Sequence, residues 1–232
     1  MSESWQKRRF DILRSLASSP KGECRRFNVF ITGPPGDSKT TPLRTGQEFA
    51  SRGELSVAVQ ALSMDVYRYP NAELDREVAA RRGREVPTRQ IKATLGTLDF
   101  GDRTGLLHLL ASGAPFTWSA YDGRRHKLVP EALKAVARRL PLVKGNYLLY
   151  DVPEWDRLAC LPDSTMLVEC GNRMSTKNVL RRRIVAGRSL RTVAGSYVGG
   201  EKQNYRKDMS HRRRIELVPQ LGSDHKLRIA RG

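Results

Sequence analysis

The sequence lacks the features that mark disulfide-rich and membrane-spanning proteins. It has only three cysteines in 232 residues, Cys24, Cys160 and Cys170, and no two of them form a Cys-x-x-Cys pair. This number and spacing exclude a disulfide framework and a cysteine zinc site, and they favour buried free thiols in a reducing compartment. No apolar run approaches the roughly 20 residues that a transmembrane helix needs, so no membrane span is expected.

The N-terminal segment also lacks the apolar stretch of a secretory signal peptide. It is basic, amphipathic and serine-containing, which resembles a mitochondrial transit peptide, but Glu3 and Asp11 argue against one. A first helix that packs on the domain explains the same pattern. The expected location is intracellular, either mitochondrial or cytoplasmic.

Acidic residues are too few to balance the basic ones. The chain has 42 lysines and arginines against 24 aspartates and glutamates, which gives a net charge of +18. Residues 171–232 alone contain sixteen basic and four acidic residues. An excess of this size attracts polyanions such as RNA, a ribonucleoprotein surface or an anionic membrane. The alternative is a solvated basic surface that has no polyanion partner.

Apolar runs alternate with amphipathic segments along the chain. Strands are predicted over residues 27–32, 55–62, 141–151, 164–170 and 215–221, and helices over 42–53, 73–82, 104–112, 175–186 and 189–198. This alternation predicts an α/β fold with a mostly parallel sheet that helices cover on both faces. In such sheets, ligands bind beyond the carboxyl ends of the strands.

One domain is expected over the whole chain, residues 1–232. Its predicted parts are an N-terminal helical arm (1–26), a core (27–221) that includes a basic lid region (about 171–214), and a basic tail (222–232).

A phosphate-binding loop is predicted between the first strand and the first helix. Residues 33–40 read Gly-Pro-Pro-Gly-Asp-Ser-Lys-Thr and match the P-loop pattern G-x-x-x-x-G-K-[ST] except at Ser38. In such a loop, backbone N–H groups cradle the phosphates, the lysine reaches the β- and γ-phosphates, and the hydroxyl binds Mg²⁺. Thr40 is therefore the candidate metal ligand. The candidate nucleotide-binding residues are Gly33, Gly36, Asp37, Ser38, Lys39, Thr40 and Thr41.

Two residues of this loop are expected to weaken ATP binding. Ser38 carries a side chain where glycine lets the backbone approach phosphate. Asp37 adds a negative charge beside the triphosphate, which costs on the order of 1–4 kcal/mol. Lys39 has the option of pairing with Asp37 instead of with phosphate.

Further segments follow the loop in a recognisable order. They are Met-Asp-Val-Tyr-Arg at 64–68, Trp-Ser-Ala-Tyr-Asp at 118–122 with Arg124 and His126 after it, Gly-Asn-Tyr-Leu-Leu at 145–149, and Leu-Arg-Arg-Arg at 180–183 with Gly187 and Arg188. These segments resemble those of the phosphoribulokinase, uridine kinase and pantothenate kinase-like family, including its arginine-bearing lid. The resemblance implies a P-loop NTPase fold of the nucleoside and nucleotide kinase type, with ATP and Mg²⁺ as cofactors of an active member.

The resemblance also implies roles for individual residues. Asp65 matches the acid that acts as general base on the acceptor hydroxyl, and Lys39, Arg182, Arg183 and Arg188 match the cations that stabilise the transferred phosphoryl group. Arg188 is also counted with the nucleotide-binding residues. The implied acceptor-binding residues are Tyr67, Tyr121, Asp122, Arg124, His126 and Asn146. From the residues alone, the preferred interpretation of Asp65 is a strand-end residue that caps a turn.

The departures from the family pattern cluster at the edge of the sheet where the chemistry would occur. Val66 and Arg68 replace a glycine and a histidine, Ser38 replaces the loop glycine, and Lys144 replaces a glutamate near the metal. A lysine there would repel Mg²⁺ and take its place. We therefore expect a degenerate, non-catalytic site that needs no cofactor. The alternative is an active ATP-dependent kinase for a hydroxyl of a nucleoside, sugar or pantothenate-like molecule.

The carboxyl-terminal region predicts a polyanion partner. The candidate RNA-binding residues are Arg181, Lys202, Arg206, Lys207, Arg212, Arg213 and Arg214. No known RNA-binding signature is present, so this prediction depends on charge. The expected partner is RNA or a ribonucleoprotein, for example a mitochondrial ribosome or its assembly intermediate. An acidic protein partner is the remaining alternative.

Overall fold

A computed structural model of the chain provides the fold. It describes residues 14, 26–33, 35–36, 38–55, 57–67, 69, 71–81, 84–88, 109–110, 112, 114–122, 127–135, 139–151, 153, 158, 161–170, 172–185, 187, 218–221 and 227–230. In chain order, the elements are β1 (Val29–Thr32), α1 (Thr40–Ser51), β2 (Ala58–Ser63), a 3₁₀ turn (Met64–Tyr67), α2 (Asn71–Arg76), β3 (Val78–Arg81), β4 (Arg84–Pro87), β5 (Phe116–Asp122), β6 (Lys127–Ala135), β7 (Arg139–Lys144), β8 (Ser164–Leu167), β9 (Glu169–Cys170), α3 (Asn172–Val185), β10 (Val218–Leu221) and β11 (Leu227–Ala230).

The centre of the fold is a parallel sheet of four strands. Its order is β2-β7-β1-β8, and every neighbouring pair is parallel. All four residues of β1 and all four of β8 are buried, as expected for strands that are covered on both faces. The predicted α/β fold with a mostly parallel sheet is therefore confirmed.

Alternate residues of β1 contact two different hydrophobic clusters. Val29 and Ile31 pack with Leu43 and Phe49 of α1 on one face of the sheet. Phe30 packs on the other face, in a cluster that includes Trp118 of β5. This division follows from the strand itself, because successive side chains point to opposite faces. The sheet therefore lies between two hydrophobic clusters, and the phosphate-binding loop begins at its carboxyl edge.

A β-hairpin covers part of the second face. Its strands β5 and β6 pair with each other as a separate two-stranded sheet. Phe116 and Trp118 bury their rings in the second cluster, and the Gln60 side chain of β2 donates a hydrogen bond to the Lys134 carbonyl at 2.9 Å. Leu128 and Val129 are exposed on the hairpin.

Arg26 ties the start of β1 to the segment that precedes the hairpin. Its guanidinium donates hydrogen bonds of 2.7 Å to the carbonyls of Leu109 and Ala114 and lies 5.0 Å above the centre of the Phe116 ring. Arg26 is 2% exposed, and this burial lowers the pKa of its guanidinium. A buried charge is tolerated because these acceptors and the ring replace water.

The structure corrects several predicted bounds. The helix predicted over 73–82 is wrong in its second half, because α2 ends at Arg76 and β3 follows. The third strand is shorter than 141–151 and ends at Lys144, and the second runs over Ala58–Ser63. The tail predicted over 222–232 contains a strand, β11, which pairs antiparallel with β10. β10 itself pairs parallel with β9.

Some predictions cannot be compared with the structure. The helix predicted over 189–198 and the N-terminal arm lie outside the described residues, except for Arg14 and Arg26. In the part of the chain that is described, no helix has the length and apolarity to cross a bilayer.

Candidate functional site

The phosphate-binding loop joins β1 to α1 and has an unusual backbone. Its φ angle is positive at Gly33 (+147°), Gly36 (+90°) and Ser38 (+61°). Glycine adopts such angles freely, whereas an L-residue loses about 1–2 kcal/mol in the left-handed region. Ser38 therefore keeps the left-handed backbone that glycine allows, and it does so under strain.

The first turn of α1 continues directly from Ser38. The Thr41 N–H donates to the Ser38 carbonyl at 2.8 Å, and the Lys39 ammonium donates to the Gly33 carbonyl across the loop. Pro42 lies in the first helical turn, where its missing N–H has no intrahelical partner to lose. These contacts set the entry of the helix whose N-terminus faces the loop.

Helix α3 packs against the loop from the other side. Ser175 Oγ donates to the Pro35 carbonyl at 2.5 Å, and Asn178 Nδ2 donates to the Gly36 carbonyl at 2.9 Å. A Cβ atom on Gly36 would lie 2.4 Å from the Ser175 carbonyl oxygen. Glycine is therefore required at position 36 for the approach of α3.

Replacement of Ser38 by glycine is expected to raise the free energy of unfolding by about 1 kcal/mol. The relief of backbone strain exceeds the added entropy of glycine in the unfolded chain. Urea denaturation of Ser38→Gly measures the change. Ser51→Gly, at the last residue of α1, is the control and is expected to destabilise by up to about 1 kcal/mol. Equal destabilisation by both substitutions would contradict strain at Ser38.

The other side of the site comes from the carboxyl ends of β2 and β7. Ser63 and Ile31 both lie in register with Lys144, so that parallel pairing brings the three strand ends to one level. Asp65 follows in the 3₁₀ turn, and Ser63 Oγ donates to its Oδ2 at 3.1 Å. The Asp65 N–H in turn donates to Ser63 Oγ at 3.3 Å.

Lys144 lies at the centre of this edge. Its Nζ is 3.3 Å from Asp65 Oδ2 and 3.3 Å from Thr40 Oγ1. The side chains of Lys144 and Asp65 are 21% and 35% exposed, which places their ion pair at the wall of an opening. The Thr40 hydroxyl and the Asp65 carboxylate, predicted to serve a metal ion and an acceptor, thus share one ammonium group.

A cavity of about 340 Å³ opens between the loop, the strand ends and α3. Its described lining residues are Pro35, Gly36, Ser38, Lys39, Thr40, Thr41, Asp65, Lys144, Gly145, Asn146, Asn178 and Arg182. The predicted residues Gly36, Ser38, Lys39, Thr40, Thr41, Asp65, Asn146 and Arg182 are therefore brought together. Gly33 lies at the base of the loop, and Asp37 lies outside the described residues.

The cavity has the groups to hold phosphate, but Lys144 contacts the two groups that would hold a divalent cation. Lys39, Lys144 and Arg182 place three cationic side chains around the start of a helix, which suits a polyphosphate. Asp65 is the only carboxylate among the described lining residues, and no cluster of three histidine, cysteine or acidic residues occurs in the described part of the chain. Because Lys144 contacts both Thr40 and Asp65, Mg²⁺ does not fit between them.

Of the predicted acceptor-binding residues, Asn146 lines the cavity, whereas Tyr67 packs beside the hairpin. Its ring meets the buried Trp118 ring edge-on, with centroids 5.9 Å apart. Tyr121 and Asp122 are in β5 and pair with Leu128 and Lys127 of β6. Arg124 and His126 lie outside the described residues.

The predicted lid and RNA-binding residues are only partly described. Arg181, Arg182 and Arg183 lie in α3, and the side chains of Arg181 and Arg182 are exposed. Outside the described residues are Arg188, Lys202, Arg206, Lys207, Arg212, Arg213 and Arg214.

The contribution of α3 to the loop is not predicted from the sequence. Ser175 and Asn178 are three residues apart, so they lie on the same face of the helix. A buried serine with an asparagine at this spacing is the available signal, but it does not reveal which loop carbonyls the two residues bind.

Comparisons with known proteins agree with this fold. No protein-family model matches the sequence. An uncharacterised Escherichia coli protein, YggC, is 26% identical over 197 residues, which is 85% of this chain and 78% of YggC. A candidate fructose transport system kinase from Silicibacter sp. TM1040 superposes with a TM-score of 0.75 at 21% identity, over 94% of this chain and 99% of that one. A candidate uridine kinase from Bacillus stearothermophilus superposes with a TM-score of 0.59 at 14% identity, over 91% of this chain and 97% of that one. The predicted fold, that of uridine kinase-like P-loop kinases, is confirmed.

Proposed function

We propose that this chain binds a nucleoside triphosphate in its P-loop cavity and that phosphoryl transfer is suppressed there. The observation that carries the proposal is the position of Lys144, whose ammonium is 3.3 Å from both Asp65 and Thr40. The loop, Lys39 and the start of α1 favour phosphate binding. The Lys144 ammonium contacts Thr40 and Asp65, the two groups that phosphoryl transfer would need.

Suppression follows from what Asp65 already binds. A general base must accept the proton of the acceptor hydroxyl within hydrogen-bond reach. Asp65 Oδ2 accepts a hydrogen bond from Ser63 and pairs with Lys144. A hydroxyl would have to displace one of these donors or use the other carboxylate oxygen.

Calorimetry with ATP, with and without Mg²⁺, tests nucleotide binding. Lys39→Ala is expected to weaken binding at least tenfold, since a charge-assisted hydrogen bond to phosphate contributes about 1.5–3 kcal/mol. Lys134→Ala is the control, because Lys134 is exposed on β6 and does not line the cavity. Absence of ATP binding in a folded wild-type chain, or equal binding by Lys39→Ala, would contradict the proposal.

An active kinase is the second candidate function. It is favoured by the meeting of Lys39, Thr40 and Asp65 in one cavity, and the names of the fructose and uridine kinase candidates suggest sugar or nucleoside acceptors. Transfer of radiolabelled phosphate from ATP to such acceptors distinguishes the candidates. Turnover that Asp65→Asn abolishes would establish the kinase and overturn suppression.

We further propose that the chain associates with RNA, in a ribonucleoprotein such as the mitochondrial ribosome or its assembly intermediate. The exposed Arg181 and Arg182 of α3 and the net charge of +18 support this proposal. Phosphate contacts of this kind release counterions, so affinity falls with salt.

Replacement of Arg181 and Arg182 by alanine tests the RNA contact. If each contacts one phosphate of single-stranded RNA, the slope of log affinity against log salt is expected to shrink by about 1.4. Arg44→Ala/Arg52→Ala removes the same charge from exposed positions at α1 and is the control. Equal slopes for the two double variants would contradict a specific contact on α3. Co-sedimentation with particles that resists RNase would point instead to an acidic protein partner.

A further inference from the structure

The Lys144 ammonium lies at the position where a P-loop protein needs a cation. In such proteins the hydroxyl that follows the loop lysine binds Mg²⁺. Here that hydroxyl, Thr40 Oγ1, is 3.3 Å from Lys144 Nζ. Asp65 Oδ2, a carboxylate oxygen of the kind that Mg²⁺ prefers, is also 3.3 Å away.

The fold fixes the backbone from which this ammonium extends. Lys144 ends β7, between β1 and β2, and is in register with Ile31 and Ser63. The next residue, Gly145, donates its N–H to the Ile31 carbonyl at 3.1 Å. A cation that is covalently attached at this strand end needs no uptake from solution.

The ammonium retains a donor for phosphate. A lysine side chain has three N–H donors, and the contacts with Thr40 and Asp65 use two of them. The third is available to a phosphate oxygen in the cavity, which Lys39 and Arg182 also line. A second cation of charge +2 at this place would be repelled by Lys144.

We infer that Lys144 is a built-in counter-ion that replaces Mg²⁺, and that the cavity binds the phosphate chain of a nucleoside triphosphate without a metal ion. The inference rests on the proposed nucleotide binding and specifies that the nucleotide binds in its metal-free form. It assigns to Lys144 a phosphate contact in addition to the pairing with Asp65 and Thr40.

The test is calorimetry of sodium ATP with the full chain, in EDTA and in excess Mg²⁺. The wild-type chain is expected to bind ATP in EDTA at least as tightly as in Mg²⁺. Lys144→Met keeps an unbranched side chain of similar length and removes the charge, so it is expected to weaken binding in EDTA about tenfold or more. Lys134→Met, which removes a charge outside the cavity lining, is expected to leave the affinity unchanged.

A second measurement uses the metal alone. Mn²⁺ is not expected to bind the wild-type cavity, whereas Lys144→Glu places a second carboxylate beside Asp65 and is expected to bind Mn²⁺, which lowers the paramagnetic resonance signal of the free ion. Equal loss of the free-ion signal with the wild-type chain would overturn the inference. Thermal unfolding verifies that each variant is folded.

The outcomes separate the inference from the proposed function. ATP binding that requires Mg²⁺, with a loss of tenfold or more in EDTA, would overturn the inference and leave nucleotide binding intact. Equal affinity of Lys144→Met and the wild-type chain in EDTA would overturn the role of Lys144. No ATP binding under either condition would overturn both.

Discussion

The double variant Ser38→Gly/Lys144→Glu is expected to bind Mg-ATP about 100-fold more tightly than the wild-type chain. The glutamate exchanges repulsion of Mg²⁺ for attraction, and each charge interaction at this range is on the order of 1–4 kcal/mol. In excess Mg²⁺, this gain exceeds the loss of the contact between Lys144 and phosphate. The glycine removes the strain of a left-handed serine, whose φ is +61°, and opens the loop to phosphate. Calorimetry in excess Mg²⁺ measures the gain.

The single variants assign this gain to its sources. Lys144→Glu is expected to account for most of it, because Ser38→Gly changes no charge. Lys134→Glu reverses a charge on β6, outside the cavity lining, and is expected to leave Mg-ATP affinity within about twofold, since the interaction is screened by solvent. If the double variant gains nothing, the lesion lies elsewhere or the wild-type site is not impaired.

Gly36→Ala is expected to lower the free energy of unfolding by about 3 kcal/mol and to abolish ATP binding. The added Cβ would lie 2.4 Å from the Ser175 carbonyl oxygen and 2.8 Å from Val179 Cγ2, so α3 must move away from the loop. The left-handed backbone at φ +90° adds strain of about 1–2 kcal/mol. Urea denaturation and calorimetry measure the two effects.

Gly53→Ala is the matched control for this prediction. Gly53 also has a positive φ, +72°, but a Cβ there meets no atom within 4 Å. It is expected to lose only about 1–2 kcal/mol of stability and to keep its ATP affinity. If both variants lose the same stability and keep ATP binding, the packing of α3 against the loop is not what shapes the site.

The sequence predicts the sheet better than the hairpin that covers it. β1 is apolar from Val29 to Ile31 and β8 ends in Met166 and Leu167, which is close to the pattern of strands that are buried on both faces. β6 instead contains Pro130, Glu131 and Ala132, residues that are uncommon in strands. Pairing with β5 overrides this composition, with a left-handed Glu131 and a register shift after Trp118. The sequence pattern does not reveal pairing of this kind.

The candidate site, like the fold, could be predicted from the sequence only in part. Lys39, Asp65 and Asn146 could be placed together from the sequence, because each follows a strand of one parallel sheet and such strands end at a common edge. The hydrogen bonds from Ser175 and Asn178 to the loop could not be predicted, because they depend on how α3 packs. The helix predicted past Arg76 failed because Val78 and its neighbours pair with β4 instead.

The hairpin β5–β6 has the properties of an exchangeable cassette. β5 and β6 form their strand-to-strand hydrogen bonds with each other, and the four parallel strands pair without either of them. The hairpin's attachments to the sheet include the rings of Phe116 and Trp118 and the bond from Gln60 to the Lys134 carbonyl. A chimera that keeps these attachments and takes its other hairpin residues from another protein of this fold retains every hydrogen bond of the central sheet. Evolution and protein engineering can therefore vary this hairpin without rebuilding the phosphate-binding loop on the central sheet.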